Sequence, residues 1–200
     1  MAPMVALAPG FLIASPPLGD PNFERTVVLL VLHGAHGALG FVVNRVAPLS
    51  LGEVLGFAGY GPRIGSSEGA VFVGGPVEPG SGWVLATNAA ETPPEGVLEV
   101  SEHVWISSSR AAFDNLARDL EPDPADGSLR GLGRRMVLLG YAGWGPGQLE
   151  GEIAEGAWLP TPFDETVLFD VSIERKWESA HAIIGVSPAM GIGMRIVGEA

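Results

Sequence analysis

The sequence predicts an α+β fold on a mixed sheet, and three observations lead there. Glycine and proline supply 29 and 17 of the 200 residues, so turns punctuate the backbone throughout and long helices are excluded. Strand-like apolar runs and helix-like periodic stretches alternate irregularly, without the strand–helix–strand rhythm of a doubly wound sheet. Hydrophobic residues make up 46% of the chain and charged residues 17%, below the usual charged share of about 25%, so the chain can bury a large core and is not disordered.

The elements follow in order. Residues 11–14 (FLIA) form a short first strand, ended by the turn-rich Ser15–Pro21. Arg25–His33 and Ala38–Asn44 are two strands rich in Val and Leu, and the short link Gly34–Gly37 suits a hairpin. Their hydrophobicity is continuous rather than alternating, so both faces are covered and helices pack on this sheet. Ser50 and Glu53 have the spacing of a capping box, which starts a short helix ending near Gly59, with Val54, Leu55 and Phe57 on its buried side. After a loop from Gly59 to Gly69, Ala70–Gly74 and Gly82–Thr87 are strands joined by Gly75–Gly80. Leu98–Val100 and Val104–Ile106 are shorter strands beyond a loop holding Thr92-Pro93-Pro94.

Ser107 or Ser108 caps a longer helix in which Phe113, Leu116, Ala117 and Leu120 recur at helical spacing. Glu121–Gly133 is the most loop-like stretch. Arg135–Tyr141 is a central strand, Gln148–Gly156 a short helix after a glycine-rich turn, and Thr166–Asp170 a strand. Ile173–Ile184 closes the series as a helix with Trp177, Ala180, His181 and Ile184 on one face. There is no internal repeat and no linker long enough to divide the chain, so residues 1–200 read as a single domain.

Charge bears on partners. The chain has 11 basic and 23 acidic side chains, a formal net charge of −12, and the acidic excess is spread over both halves. No basic tail is present to neutralise phosphates, which disfavours direct DNA binding. Arg130, Arg134 and Arg135 are the only basic cluster and read as solvated residues where a loop enters a strand. Cysteine is absent, which excludes disulfides and thiolate chemistry and suits a reducing compartment. The first fifteen residues are apolar, but no Lys or Arg precedes Arg25 and Pro3 and Pro9 interrupt the stretch, unlike a signal peptide. The longest apolar run, Val27–Leu32, falls far short of the ~20 residues that span a bilayer. A soluble, cytoplasmic protein with no membrane contact is expected.

Four motifs bear on chemistry. Gly65-Ser66-Ser67-Glu68-Gly69 matches the nucleophile-elbow pattern, but a loop precedes it and a strand follows, where an elbow needs a strand and then a helix. Gly143-Trp144-Gly145-Pro146-Gly147-Gln148 lies between a strand and a helix and could aim N–H groups at an anion. It matches no phosphate-loop pattern, Lys176 is the only lysine, and Glu150 and Glu152 oppose a phosphate. His33 and His36 supply two imidazoles across a turn, fewer than a zinc site uses, with His103 and His181 far off in sequence. His36 reads as an exposed turn residue, His33 as a strand-end residue and His181 as a packed helical one. The acids at Glu150, Glu152 and Glu155 read as solvated charges, because i, i+2 spacing puts the first two on different sides of a helix; among the remaining acids only Asp170 is a constrained candidate. No catalytic set, metal site or cofactor is implied.

One run is more specific. Leu139-Gly140-Tyr141-Ala142-Gly143-Trp144-Gly145-Pro146-Gly147-Gln148-Leu149-Glu150 resembles the YqgE/AlgH family, and the resemblance covers nearly the whole chain in order. It includes Gly10–Ala14, Asp20-Pro21 with Phe23, His33 with Gly37–Gly40, Asn44-Arg45, Phe72 with Gly74–Val77, Trp158-Leu159, Leu168–Asp170, and Arg175 with Trp177. The segment Gly191–Arg195 and His36 depart from the family pattern. The resemblance implies an α+β fold whose mixed, branched sheet includes a small closed barrel flanked by helices. It implies a role in transcriptional regulation and carries over no catalytic residues.

Many shared residues are glycines and prolines, which permit unusual backbone and fix corners. The polar and aromatic remainder, Asn44, Arg45, Tyr141, Trp144, Gln148 and Trp177, is the candidate binding surface. The leading reading is a non-enzymatic regulatory or protein-interaction module with a protein partner in preference to direct nucleic-acid contact. The alternative is a small-molecule binder or enzyme with a pocket near Asn44, Arg45 and the Tyr141–Gln148 turn; a third is a structural role through oligomerisation.

Overall fold

The structure is a computed structural model describing residues 7–16, 18–61, 69–87, 96–121, 125–126 and 134–187. The strands are β1 (Gly10–Ala14), β2 (Val27–Gly34), β3 (Gly37–Val42), β4 (Val46–Ser50), β5 (Ala70–Val73), β6 (Val77–Thr87), β7 (Leu98–Glu99), β8 (Val104–Ser107), β9 (Arg135–Trp144) and β10 (Trp158–Pro162). The helices are α1 (Leu51–Phe57), α2 (Arg110–Asp119), α3 (Gln148–Ala154), α4 (Glu165–Phe169) and α5 (Lys176–Ile183), with a 3-10 turn at Ile173–Arg175. This is the α+β class with a mixed sheet. The pairing order is β10-β1-β2-β3-β9-β6-β8-β7, with β5 pairing both β4 and β9. All pairs are antiparallel except β5 with β9.

The sheet branches at β9. Along one edge of this strand β5 covers Val137–Leu139 and β3 covers Ala142–Trp144, while β6 lies on the other edge. The change of partner falls at Gly140, whose φ is +68°. A Cβ there would sit 2.5 Å from the Gly75 carbonyl oxygen, so glycine is required on both counts. Among the described residues nothing pairs β10 with β7; the sheet is open, and the small closed barrel implied by the family resemblance does not form.

The chain divides into two compact units, residues 1–44 with 142–200 and residues 45–141. In the first, β2 is the central buried strand: Val27 to Val31 are all buried, matching its continuous hydrophobicity. Its core joins Leu12, Val28, Leu30, Val42, Trp144, Leu149 and Trp158. The outer strand β10 contains Pro160 and Pro162. Ser15 N–H donates to the Ala157 carbonyl at 3.0 Å, and the register pairs Ile13 with Leu159 and Phe11 with Thr161. Those odd-numbered positions of β10 therefore carry the ladder bonds, and both prolines fall where an N–H would face outward. The free edge is blunted by its own sequence.

In the second unit, Ser50 caps α1 as a reciprocal box: its N–H donates to Glu53 Oε2 at 2.8 Å and its Oγ accepts from Glu53 N at 3.2 Å. Leu51, Val54 and Leu55 enter a core with Val71, Val84, Val137, Phe113 and Leu116. Phe57, expected on the buried side, is 82% exposed, because the helix ends there. Helix α2 is capped by Ser109, not Ser107 or Ser108, through a bond from Ala112 N at 3.3 Å.

Two further expectations are corrected. Thr166–Phe169 is helical, not a strand: Asp164 caps α4, accepting from Val167 N at 2.9 Å, and the three-residue apolar run Val167–Phe169 is too short to separate the two periods. The strands β4 and β10 were hidden by Pro48, Pro160 and Pro162. Among the described residues no helix is long and apolar enough to cross a membrane.

Candidate functional site

The glycine-rich turn after β9 leads into α3, and this corner of the first unit carries a carboxylate hub. Gln148 and Glu152, one turn apart, lie on the same helical face. Gln148 Oε1 accepts from Gly145 N at 3.0 Å, and its Nε2 donates to Glu152 Oε1 at 2.8 Å. The other oxygen, Oε2, accepts two indole N–H bonds, from Trp144 at 2.9 Å and from Trp158 at 2.7 Å. Trp144 and Trp158 meet edge to face at 5.9 Å, and Phe23 lies 5.3 Å from Trp158 and 6.4 Å from Trp144. Aromatic rings at about 4.5–7 Å are in contact, so this three-ring group fills itself and leaves no space between rings for a ligand.

A second cluster gathers Asn44, Arg25 and Trp177. Asn44 Oδ1 accepts from Val27 N at 2.8 Å and its Nδ2 donates to the Arg25 carbonyl at 2.9 Å. Arg25 has φ +54°, an uncommon conformation for a side-chain-bearing residue, and its guanidinium stands 4.7 Å over the Trp177 ring. Trp177 Nε1 donates to the Ala14 carbonyl at 2.8 Å. One turn on, buried His181 donates from Nδ1 to the Trp177 carbonyl at 2.8 Å. Beside it Lys176 is buried and donates to the Leu168 carbonyl. Burial pushes the Lys176 ammonium down to about 8, with Asp170 opposing that shift.

The six candidate residues thus fall into three groups. Trp144 and Gln148 meet through Glu152, and Asn44 and Trp177 meet through Arg25. Arg45 and Tyr141 belong to the second unit, where the Arg45 carbonyl accepts from Val73 N at 2.8 Å and Tyr141 sets its ring against Trp83 at 6.3 Å and 76°. The hub residue Glu152 and its second indole, Trp158, were not anticipated. The i, i+4 spacing of Gln148 and Glu152 was the available signal.

The carboxylates Glu150 and Glu152 are not free solvated charges. They do leave α3 on different sides, but Glu152 holds the indoles and Glu150 Oε1 meets His33 Nε2 at 3.0 Å. The His33 ring is buried, and its Nδ1 accepts from Leu7 N at 3.4 Å, so Nε2 carries the proton that Glu150 accepts. His33 is more than a strand-end residue. A bond from its own backbone N–H, and then the His33 ring, hold the Glu150 carboxyl below the usual carboxylate range against partial desolvation. Exposed His36 lies in the turn, with His33, Leu32, Leu39 and Trp144 bordering an open groove of about 390 Å³.

Other motifs resolve differently. Arg135, expected to be solvated, is ion-paired with Asp119; Arg130 and residues 65–68 of the elbow-like motif lie outside the described residues. Among the described residues no group of three or more His, Asp or Glu side chains is arranged to hold a metal ion.

The comparisons with known proteins agree with this fold. A family model described as AlgH-like matches residues 11–189. A UPF0301 protein of Anaeromyxobacter sp. (strain K) is 42% identical over 188 residues, covering 92% of this chain and 90% of that one. A UPF0301 protein of Myxococcus xanthus is 40% identical over 187 residues, covering 94% and 96%. The solution structure of the AlgH protein from Pseudomonas aeruginosa superposes with a TM-score of 0.74 at 33% identity, covering 100% of this chain and 99% of that one. A crystal structure of a Corynebacterium diphtheriae protein, at 18% identity and TM-score 0.63 over 86% of this chain and 84% of that one, shares the fold.

Proposed function

The chain belongs to the AlgH-like family, and from that premise we propose that it is a non-enzymatic module of the cytoplasm that regulates by binding a protein partner. One observation carries this reading: polar side-chain atoms of Asn44, Trp144, Gln148 and Trp177 are engaged by other groups of the chain. Gln148 and Trp144 close on Glu152, Asn44 ties two backbone groups, and Trp177 is bonded to Ala14. Groups engaged in this way hold a surface in one shape, as a recognition surface requires. The net charge of −12 supports a protein partner over direct contact with duplex DNA, whose binding is driven by neutralised phosphates. Any effect on transcription then runs through that partner.

The test has two arms. Mixed-sequence duplex DNA titrated at about 50 mM salt, the condition that favours phosphate contacts, is expected to leave the chain unbound. A protein that co-purifies with the chain, repurified and titrated by calorimetry, is expected to form a saturable complex of fixed stoichiometry. DNA binding with a steep salt dependence would overturn the reading. So would a metabolite that raises the unfolding midpoint of the wild type but not of Trp144→Phe, which is the outcome a small-molecule binder or enzyme predicts.

A further inference from the structure

Among the described residues two arginines stand over aromatic rings, and the fold supplies an anion to only one of them. Arg110 lies 4.6 Å over the Tyr60 ring; its Nε donates to Asp114 Oδ1 at 3.2 Å and its Nη1 to the Ala58 carbonyl at 3.2 Å. Arg25 lies 4.7 Å over the Trp177 ring, yet its guanidinium forms no hydrogen bond or ion pair with the described residues. A guanidinium over a ring keeps its planar fork of N–H groups available for a carboxylate. The position is held at a local cost. Arg25 has φ +54°, which is uncommon for a residue with a side chain. The Asn44 carboxamide clamps it from both sides, donating to the Arg25 carbonyl and accepting from Val27 N. Backbone kept in so sparsely populated a region gathers at binding sites. Trp177 beneath is 5% exposed, while Arg25 is open to solvent.

We propose that Arg25 on Trp177 is a carboxylate-binding site, which the partner fills with one Asp or Glu side chain or with its C-terminal carboxylate. That group takes at Arg25 the place that Asp114 takes at Arg110. The inference rests on the protein-binding reading above and names the chemistry of the contact. The surroundings select a single charge. Asp20 and Glu24 lie in the turn that leads to Arg25, and the chain carries −12. A phosphate dianion or a run of acidic residues therefore meets repulsion on approach. A lone carboxylate among neutral neighbours meets the least of it and matches the guanidinium fork in two parallel bonds. Arg25 stands on a ring and on clamped backbone, so it has little side-chain freedom left to lose on binding.

The test uses the full chain and the purified partner, with affinity read by calorimetry. Arg25→Met keeps an apolar cover on Trp177, and Arg25→Lys keeps the charge without the fork; in both the Trp177 indole N–H should stay protected from exchange. Arg25→Met should weaken the complex about tenfold or more, and Arg25→Lys should weaken it less. Arg25→Lys also places a primary amine at the site, in a chain whose only other lysine, Lys176, is 3% exposed. A zero-length carbodiimide, which joins an amine to a touching carboxylate, should then link residue 25 to one Asp, Glu or C-terminal carboxylate of the partner. Wild-type affinity in Arg25→Met, or a link from residue 25 that is absent or spread over many partner carboxylates, overturns the assignment and leaves the protein-binding reading standing. Displacement of the partner by inorganic phosphate at lower concentration than by acetate, at equal ionic strength, overturns the choice of a carboxylate. No complex with the wild-type chain overturns the protein-binding reading and the assignment with it.

Discussion

The two units of the chain solve the problem of an interior differently. The unit of residues 45–141 has an apolar core of Val, Leu and Phe side chains. It also has a half-buried ion pair of Arg135 and Asp119 and a clamp at the surface, where Tyr60 Oη donates to Asp114 at 2.6 Å and Arg110 stacks 4.6 Å over the Tyr60 ring. The unit of residues 1–44 and 142–200 carries more of its polar groups against its core, some half-buried and some fully buried. Glu152 holds two indoles, Lys176 is buried against a carbonyl, and His181 is fully buried beside Trp177. A buried polar network costs far more when half satisfied than an apolar core does when trimmed. It also fixes one geometry, which suits a surface meant to be recognised. Most of the candidate residues, Asn44, Trp144, Gln148 and Trp177, belong to this unit.

The contrast can be broken most directly at the hub. Glu152→Ala leaves the Trp144 and Trp158 N–H groups without their acceptor, and unfolding by denaturant should show a loss of about 2–4 kcal/mol, since bonds to charged groups contribute about 1.5–3 kcal/mol each. Glu152→Gln, which keeps an acceptor oxygen, should recover part of that loss. A loss no greater than that of an exposed Glu→Ala change would mean the network is incidental.

Lys176 gives a smaller effect with a distinctive pH signature. Its folded-state value of about 8 lies below its ordinary 10.5, so the unfolded chain binds the proton more tightly. That group therefore lowers stability below pH 8, by an amount on the order of 3 kcal/mol before its bond to Leu168 offsets part of it. The penalty fades as pH rises from about 8 to 10.5. Lys176→Met should thus show its greatest advantage over the wild type near pH 7 and lose it by pH 10, read as the difference in thermal midpoint. A difference that stays constant with pH would contradict the account.

The smallest effect belongs to the surface clamp. A bond from Tyr60 holds the Asp114 carboxyl below its ordinary range, with partial desolvation opposing and Arg110 assisting. The stability it gives is present at neutral pH and is lost as the carboxylate protonates in acid. Tyr60→Phe should lower the midpoint slightly at pH 7, less than either change above, and not at all once Asp114 is protonated. A larger loss than at Glu152 would invert the contrast between the two units.

Much of the fold was legible because local chemistry agreed with it. The capping box Ser50–Glu53, the continuous apolar runs of β2 and β3 and the helical spacing of Phe113, Leu116 and Leu120 each point one way. The strand β10 was illegible because Pro160 and Pro162 argue against a strand, and only the register shows both facing the free edge. Missing β10 hid Trp158, and with it the role of Glu152, whose second indole arrives on that strand. The resemblance singles out Trp144 and Gln148, whose hydrogen bonds both lead to Glu152. His33 and Glu150 lie 117 positions apart, and no spacing rule reaches that far. The helix α4 is too short to read, since three consecutive apolar residues, Val167–Phe169, fit a strand or a helix equally well.

The central claim is that the signature tryptophans build the surface and do not wait for a ligand. Hydrogen exchange of the indole N–H protons in the full chain tests it most directly. The account predicts that Trp144, Trp158 and Trp177 exchange far more slowly than free indole, and that Glu152→Ala releases Trp144 and Trp158 together while Trp177 stays protected. Exchange of the Trp144 and Trp158 protons at the free-indole rate in the wild-type chain would contradict it.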